Sequence, residues 1–379
     1  MLPIPQELHD YIIDFLHLQR ESLCSCSLVC KAWLPSSRYH LFSHSTVRVH
    51  RDNLQSFLEM HGSGVLNPYI GRLDFESHII DDRWRSGDPT FLLNEDLSRF
   101  TGLPALRYLR IHYHHQDIAP SFAAAISHNF SQLTQLEFSS VQFPTFASVL
   151  AICQTLPFLR RLALSQLSLH QKEPNGPLPT LPHLTMLVFN NYVRSDNIQI
   201  LKWIAAHPAL RSLALSTRLF IPEELEDQPL SSLWPRLQHL ILGHLTSVPD
   251  LSGAVQLHTL ELRAIPLASR LNFQHNKPSD VPDILTAIFG NPQAKLECVV
   301  LSMYLDEPGE IEAMQWERVA SLLSGARSLR HVKIKLSGHK KTLKRVILEE
   351  KLPPPRAYSL RVESLVPALE ILSLVNCAE

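Results

Sequence analysis

The chain has 379 residues, 45% of them hydrophobic and 19% charged, a balance that excludes a disordered polypeptide and allows a sizeable core. A formal net charge of −1 supplies no overall field to draw in nucleic acid or an anionic membrane, so neither is an expected partner. The length suits two or three domains, or one elongated one. Six cysteines are present. Three of them, Cys24, Cys26 and Cys30, crowd one predicted helix with a spacing that is neither a zinc site nor a disulfide framework. Reduced, mostly buried thiols in an intracellular protein are therefore expected. Pro3, Pro5 and Glu7 interrupt any apolar leader, and no apolar run reaches the roughly 18 residues of a membrane span. Cytoplasmic or nuclear residence is the expectation.

Residues 4–42 read IPQELHDYIIDFL, HLQRESL, CSCSLVCKAW and SRYHLF, a texture that predicts three short helices. Leu8, Ile12, Phe15 and Leu16 mark an apolar face on the first, and Leu23, Ser27 and Cys30 with Leu28 mark one on the second. A module this small buries little by itself, so its apolar surface calls for a partner or for the end of whatever follows.

Pro5, Glu7-Leu8, Ile12, Leu16, Leu23, the run Ser27-Leu28-Val29-Cys30-Lys31, Trp33 and Leu41-Phe42 resemble the F-box motif in order and spacing, with Ile4 where Leu is usual. The flavour of the stretch is similar to that of fungal members. The resemblance implies an F-box over 1–46 that docks onto the Skp-type adaptor of a Skp–cullin–F-box ubiquitin ligase, and through it a cullin. It assigns that contact to Pro5, Leu8, Ile12, Leu16, Leu23, Leu28, Val29 and Trp33. These side chains suit an apolar helix-to-helix interface, and fully burying one is worth roughly 1.5–3 kcal/mol. The competing reading makes them a capping layer on the next domain.

Residues 47–379 carry a returning pattern, L-x-x-L-x-L. It begins in degenerate form at Ile70/Leu73/Phe75. Clear copies are Leu106/Leu109/Ile111, Leu133/Leu136/Phe138, Leu159/Leu162/Leu164, Leu184/Leu187/Phe189 and Leu210/Leu213/Leu215. Leu237/Leu240/Leu242, Leu257/Leu260/Leu262, Leu296/Val299/Leu301, Leu329/Val332/Ile334 and Leu369/Leu372/Leu374 complete about eleven irregular units. Pro104, Pro157, Pro182, Pro208, Pro235 and Pro367 stand two residues before a first leucine, where proline ends a helix and starts an extended segment. Between strands, helices are predicted over Ser121–His128, Phe146–Leu156, Asn197–His207, Val281–Phe289 and Trp316–Leu323.

The two-residue L-x-L step belongs to a strand and speaks against stacked helix pairs. One strand-turn-helix unit cannot bury its apolar side alone, so neighbours stack into a parallel sheet with helices behind it. The pattern resembles the leucine-rich repeat family, particularly its irregular members. The expected fold is thus an α/β solenoid: a three-helix F-box, then a curved horseshoe with parallel strands on its concave side and helices on its convex side. The family's Asn after the last strand leucine is missing from most units, so irregular turns are expected.

Residues alternating with the core leucines line the concave side. They are small and apolar in the middle, at Ala163, Val188, Ala214 and Ile241, and charged toward the ends, at Arg110, Glu261 and Arg263. An apolar centre with a polar rim suits capture of a protein substrate. Taken with the F-box resemblance, the chain looks like a non-catalytic receptor subunit of a ubiquitin ligase. A scaffold outside any ligase, or a GTPase activator using Arg110 or Arg263, is the alternative. His112, His114 and His115 have no placed acidic or thiol co-ligand, and no phosphate-cradling loop occurs, so no metal or cofactor is expected. The run His339–Arg345 reads as a solvated basic loop, and Gly62 and Gly64 read as ending a helix over Leu54–Met60.

Overall fold

Ten of the leucine triads, from Ile70/Leu73/Phe75 to Leu329/Val332/Ile334, run into parallel strands in a computed structural model of the chain. It describes residues 5–43, 45–50, 52–76, 99–112, 120–171, 178–190, 198–219, 230–245, 250–266, 280–305, 315–338 and 359–364. The chain forms two compact units, Met1–Leu184 and Thr185–Glu379.

The first unit opens with helices α1 (Gln6–Phe15), α2 (Arg20–Val29) and α3 (Leu34–Ser43), followed by β1 (Thr46–His50) and α4 (Leu54–Gly62). Then come β2 (Arg72–Glu76), β3 (Tyr108–His112), α5 (Pro120–Asn129), β4 (Gln135–Ser139), β5 (Gln142–Phe143), α6 (Phe146–Gln154), β6 (Arg161–Ser165) and β7 (Ser168–Leu169). Strands β1-β2-β3-β4-β6 hydrogen-bond in that order, all parallel, and β5 pairs with β7. Strand β1, carried by Val47 and Val49, stands ahead of the first leucine triad and is an addition to the predicted repeats.

The triads set the register. Leu73, Leu109, Leu136 and Leu162 form one row across the strands, and Phe75, Ile111, Phe138 and Leu164 the next. Both rows are buried, together with Phe122 and Ile126 of α5 and Phe146, Val149 and Leu150 of α6. The core therefore lies between the strands and the helices. Before each strand the chain makes a tight turn, as in the bonds from Leu106 N–H to Leu103 C=O and from Leu159 N–H to Leu156 C=O. Pro104 and Pro157 hold the second position of those turns, where their fixed φ fits. The carbonyl ahead of each strand then accepts two N–H groups from the next unit: Gly71 from Arg107 and Tyr108, Arg107 from Thr134 and Gln135, Thr134 from Arg160 and Arg161.

The turns after β4 and β6 are built alike. Ser140 and Gln166 both take left-handed φ, 56° and 54°, and the Ser140 hydroxyl donates to Gln166 Oε1 at 2.7 Å. Non-glycine residues adopt this region at a cost, so the paired hydrogen bond and the β5–β7 pairing offset it. Gly64, with φ 70°, follows α4 and closes it, as Gly at a left-handed cap does. Gly71 has a different role: a Cβ there would meet the carbonyl oxygen of Ser43 at 2.6 Å, so α3 ends directly against the start of β2.

The second unit comprises β8 (Met186–Asn190), α7 (Ile198–Ala206), β9 (Ser212–Leu219), a 3-10 turn (Trp234–Arg236), β10 (His239–Leu245) and β11 (Thr259–Pro266). It continues with α8 (Asp280–Phe289), β12 (Cys298–Leu305), α9 (Trp316–Gly325), β13 (His331–Gly338) and β14 (Ser359–Ser364). Strands β8 through β14 pair in sequence order, all parallel. The doubled carbonyls recur at Thr185, Arg211, Gln238, His258 and Glu297. The register shifts between Gly243 and Leu245 and between Leu262 and Ile265. The strand beside β13 is β14, which holds Leu360 and Val362 in line with Val332 and Ile334. The triad Leu369/Leu372/Leu374 lies outside the described residues, as do His114, His115 and the run His339–Arg345.

Candidate protein-interaction site

Two surfaces stand out, the N-terminal helices and the sheet faces that point away from the helices.

In the helical module, Ile13, Leu23 and Cys26 form a small buried core, and Leu16, Trp33 and Leu41 pack against it. Polar contacts fasten α1 to α3 and to the turn before it. The Gln6 amide donates to the Ala32 carbonyl at 2.9 Å, Asp10 accepts from the Ser36 hydroxyl, and His40 Nε2 meets Asp14 Oδ1 at 2.6 Å. Helix α1 turns Ile13 inward and leaves Leu8, Ile12 and Phe15 of its expected apolar face outside; α2 turns in Leu23 and Cys26, while Leu28 and Cys30 of its expected face are exposed. Cys24 and Cys30 are exposed and Cys298 is half-buried, so among the described residues only Cys26 and Cys153 fit the expectation of buried thiols. Burial pushes the Cys153 thiol up to about 12, which makes it inert.

What α1 leaves outside is a second apolar stripe. Leu8, Tyr11, Ile12 and Phe15 follow helical spacing and are all exposed, Phe15 by 67%, with the Tyr11 and Phe15 rings edge to face at 4.8 Å. Leu18 and the α2 residues Leu28 and Val29 are exposed as well, Leu28 by 86%. A helix apolar on both sides is covered on both sides in a finished fold, and large exposed apolar side chains in a group mark interaction surfaces. Of the eight residues assigned to adaptor contact, Pro5, Leu8, Ile12, Leu28 and Val29 are exposed. Leu23 is buried in the core of the module, and Leu16 and Trp33 pack on that core; these three position the helices.

On the first unit's sheet, the row alternating with the leucines reads Arg48, Asp74, Arg110, Glu137 and Ala163 in register. Opposite charges thus stand on neighbouring strands, the stabilising arrangement for cross-strand pairs. Arg110 sits at the centre. Its Nη1 is 3.3 Å from Asp74 Oδ2 and 4.0 Å from Glu76 Oε1, and its Nε is 3.2 Å from Glu137 Oε1 as an ion pair without hydrogen-bond alignment. The Tyr108 hydroxyl donates to the other Glu137 oxygen at 3.0 Å, and the Arg72 guanidinium lies 4.3 Å above the Tyr108 ring. Asp74 is 2% exposed and its Oδ1 finds no hydrogen bond, so burial raises its carboxyl to about 7 even though Arg110 pulls the other way. The same burial pushes the Tyr108 hydroxyl up. Ala163 is buried.

On the second unit's sheet, the equivalent row is Val188, Ala214, Ile241, Glu261, Val300, Lys333 and Arg361. Val188 and Ala214 are buried and Ile241 half-buried. Glu261 is buried but well served. Its Oε1 accepts from Arg263 Nε at 2.9 Å, Lys335 Nζ at 3.2 Å and the Ser302 hydroxyl at 3.3 Å. Burial alone raises such a carboxyl; the Arg263 and Lys335 charges outweigh it and hold Glu261 below its usual range. In this row Val188, Ala214 and Ile241 precede the charged Glu261, Lys333 and Arg361, and the apolar members offer little area.

No protein-family model and no curated protein matches the chain. Among solved structures, the crystal structure of a TLR13–ssRNA13 complex aligns with a TM-score of 0.32 and 17% identity, covering 71% of this chain and 43% of that one. The chain thus spans less than half the length of that structure. By its own topology each unit is a leucine-rich-repeat-type α/β stack of parallel strands backed by helices, and the first opens with a three-helix module.

Proposed function

We propose that the chain is the substrate-receptor subunit of a Skp–cullin–F-box ubiquitin ligase. The three helices dock the Skp-type adaptor, and the sheet faces of the repeats hold a protein substrate. The observation that carries this reading is the exposed Leu8/Tyr11/Ile12/Phe15 stripe, left over after Ile13, Leu23 and Cys26 have satisfied the module's own core. The order and spacing of the F-box-like residues support it. A capping role for the module is compatible, because the Ser43–Gly71 contact uses the far end of α3 and leaves that stripe uncovered.

The reading is non-catalytic. Arg110 and Arg263, the side chains a GTPase activator would extend, are each held by carboxylates of their own sheet, whereas a guanidinium that enters a partner's active site is presented free. The receptor needs no cofactor, and its location would be cytoplasmic or nuclear. The test is a pull-down of purified Skp-type adaptor with the full chain. Capture is expected for the wild type and lost in Leu8→Asp or Val29→Asp; capture retained in both variants rejects the assignment. A scaffold acting outside a ligase gives no capture at all.

A further inference from the structure

Among the described residues β1 is the outermost strand of its sheet, so one of its sides has no strand to pair with. A parallel ladder turns successive residues toward opposite neighbours. The Gly71 carbonyl accepts from the Tyr108 N–H, so Gly71, Leu73 and Phe75 face β3, and Arg72, Asp74 and Glu76 face β1. Through the register of Thr46 with Arg72, Val47 and Val49 then face β2, and the backbone groups of Thr46, Arg48 and His50 point outward. One side chain takes two of those groups. Asn53 Nδ2 donates to the Arg48 carbonyl at 2.9 Å, and Asn53 Oδ1 accepts from the His50 N–H at 2.8 Å. A residue of a parallel strand set opposite Val49 would make the same two bonds. Asn53 stands just ahead of α4, where Asn commonly caps the helix with its side chain, yet it makes no such bond. Its carboxamide goes to the strand edge instead. Arg48 adds a second barrier, because its side chain is exposed and a charge on an edge strand discourages pairing.

We propose that Asn53 and Arg48 hold the edge of β1 closed, and that the edge, once opened, pairs with β1 of a second copy of the chain. The occupant follows from the edge itself. Two copies of β1 related by a two-fold axis at Arg48 would run antiparallel, each Arg48 N–H donating to the other Arg48 carbonyl and each His50 N–H to the Thr46 carbonyl opposite. Both groups that Asn53 occupies are needed for that ladder. The same axis sets the two Arg48 side chains directly opposite one another, and like charges so placed destabilise a strand pair. Asn53 thus fills the hydrogen-bonding positions and Arg48 makes the remaining approach repulsive. The device is independent of what the helical module docks.

The test is sedimentation velocity of the full chain over a range of concentrations, comparing the wild type with two double variants. Asn53→Ala with Arg48→Thr removes both barriers and leaves the backbone able to pair. Asn53→Ala with Arg48→Pro removes the same two side chains but also the outward N–H, a substitution that an edge strand accepts. The threonine variant is expected to associate beyond the wild type, its weight-average mass rising with concentration toward about twice that of the chain. The proline variant is expected to follow the wild-type curve. Should it fold poorly, Thr46→Pro, at the first residue of the strand, is added to the threonine variant and is expected to reverse its association. Hydrogen exchange reads the lock itself: in Asn53→Ala alone the His50 amide exchanges faster, on the order of tenfold. The proposal is overturned if the threonine variant sediments as the wild type does, if the proline variants associate as strongly as the threonine one, or if the His50 amide exchanges no faster without Asn53.

Discussion

The two sheet faces use the same row of positions in different ways. In the first unit every repeat strand has five residues, and the row alternates in sign from Arg48 through Asp74 and Arg110 to Glu137. Charges there find each other, Arg110 is largely buried, and little is left to attract a partner. In the second unit most strands run to seven or eight residues, the register slips twice, and one carboxylate, Glu261, holds both Arg263 and Lys335. A closed network such as that of the first unit is a structural element.

Arg110→Ala should have the largest effect. It leaves Asp74 buried without its cation, and removing one partner of a buried pair costs about 3–5 kcal/mol. Urea unfolding of the variant is expected to show that loss; a change within experimental error would mean the first network is not closed. Glu261→Ala comes next. It leaves Arg263 and Lys335, both mostly buried, without an acceptor, at about 1–3 kcal/mol in the same measurement.

The pH response separates the two faces by sign. The Asp74 carboxyl is raised in the fold, so the native state holds more protons than the unfolded one between its ordinary value and about 7. Its contribution is fully present below the unfolded pKa and is lost as pH rises through that window; Asp74→Asn should flatten this slope. Glu261 is lowered, so its contribution is present above the unfolded pKa and is lost as pH falls through the folded value. Stability curves of the two single variants against the wild type check both signs. The smallest effect is expected from Lys333→Ala, within about 0.5 kcal/mol, because Lys333 has no partner within the described chain to lose. A large loss there would mean that the second face is closed too.

Much of the fold was legible because strict leucine spacing leaves the strands little choice of register. Aligning Leu73, Leu109 and Leu136 already places Asp74, Arg110 and Glu137 side by side, so the charge ladder could have been read from the triads. Other features had weaker signals. Strand β1 has only Val47 and Val49, and β14 only Leu360 and Val362, each without the first leucine that frames a unit. The left-handed turns at Ser140 and Gln166 occur at residues with no special preference for that conformation and depend on pairing between units. In α1, apolar residues on both sides make periodicity ambiguous, and only the packing of Ile13 on Leu23 and Cys26 decides which stripe faces in.

If the outward stripe of α1 docks the adaptor separately from the sheet surface, calorimetric titration of a Skp-type adaptor into the full chain will distinguish the wild type from Ile12→Asp, a substitution at an exposed position that spares the module's core. Saturable binding that disappears in Ile12→Asp, with the urea midpoint of the variant unchanged, is the predicted result; equal adaptor binding by both proteins, or none by the wild type, would contradict it.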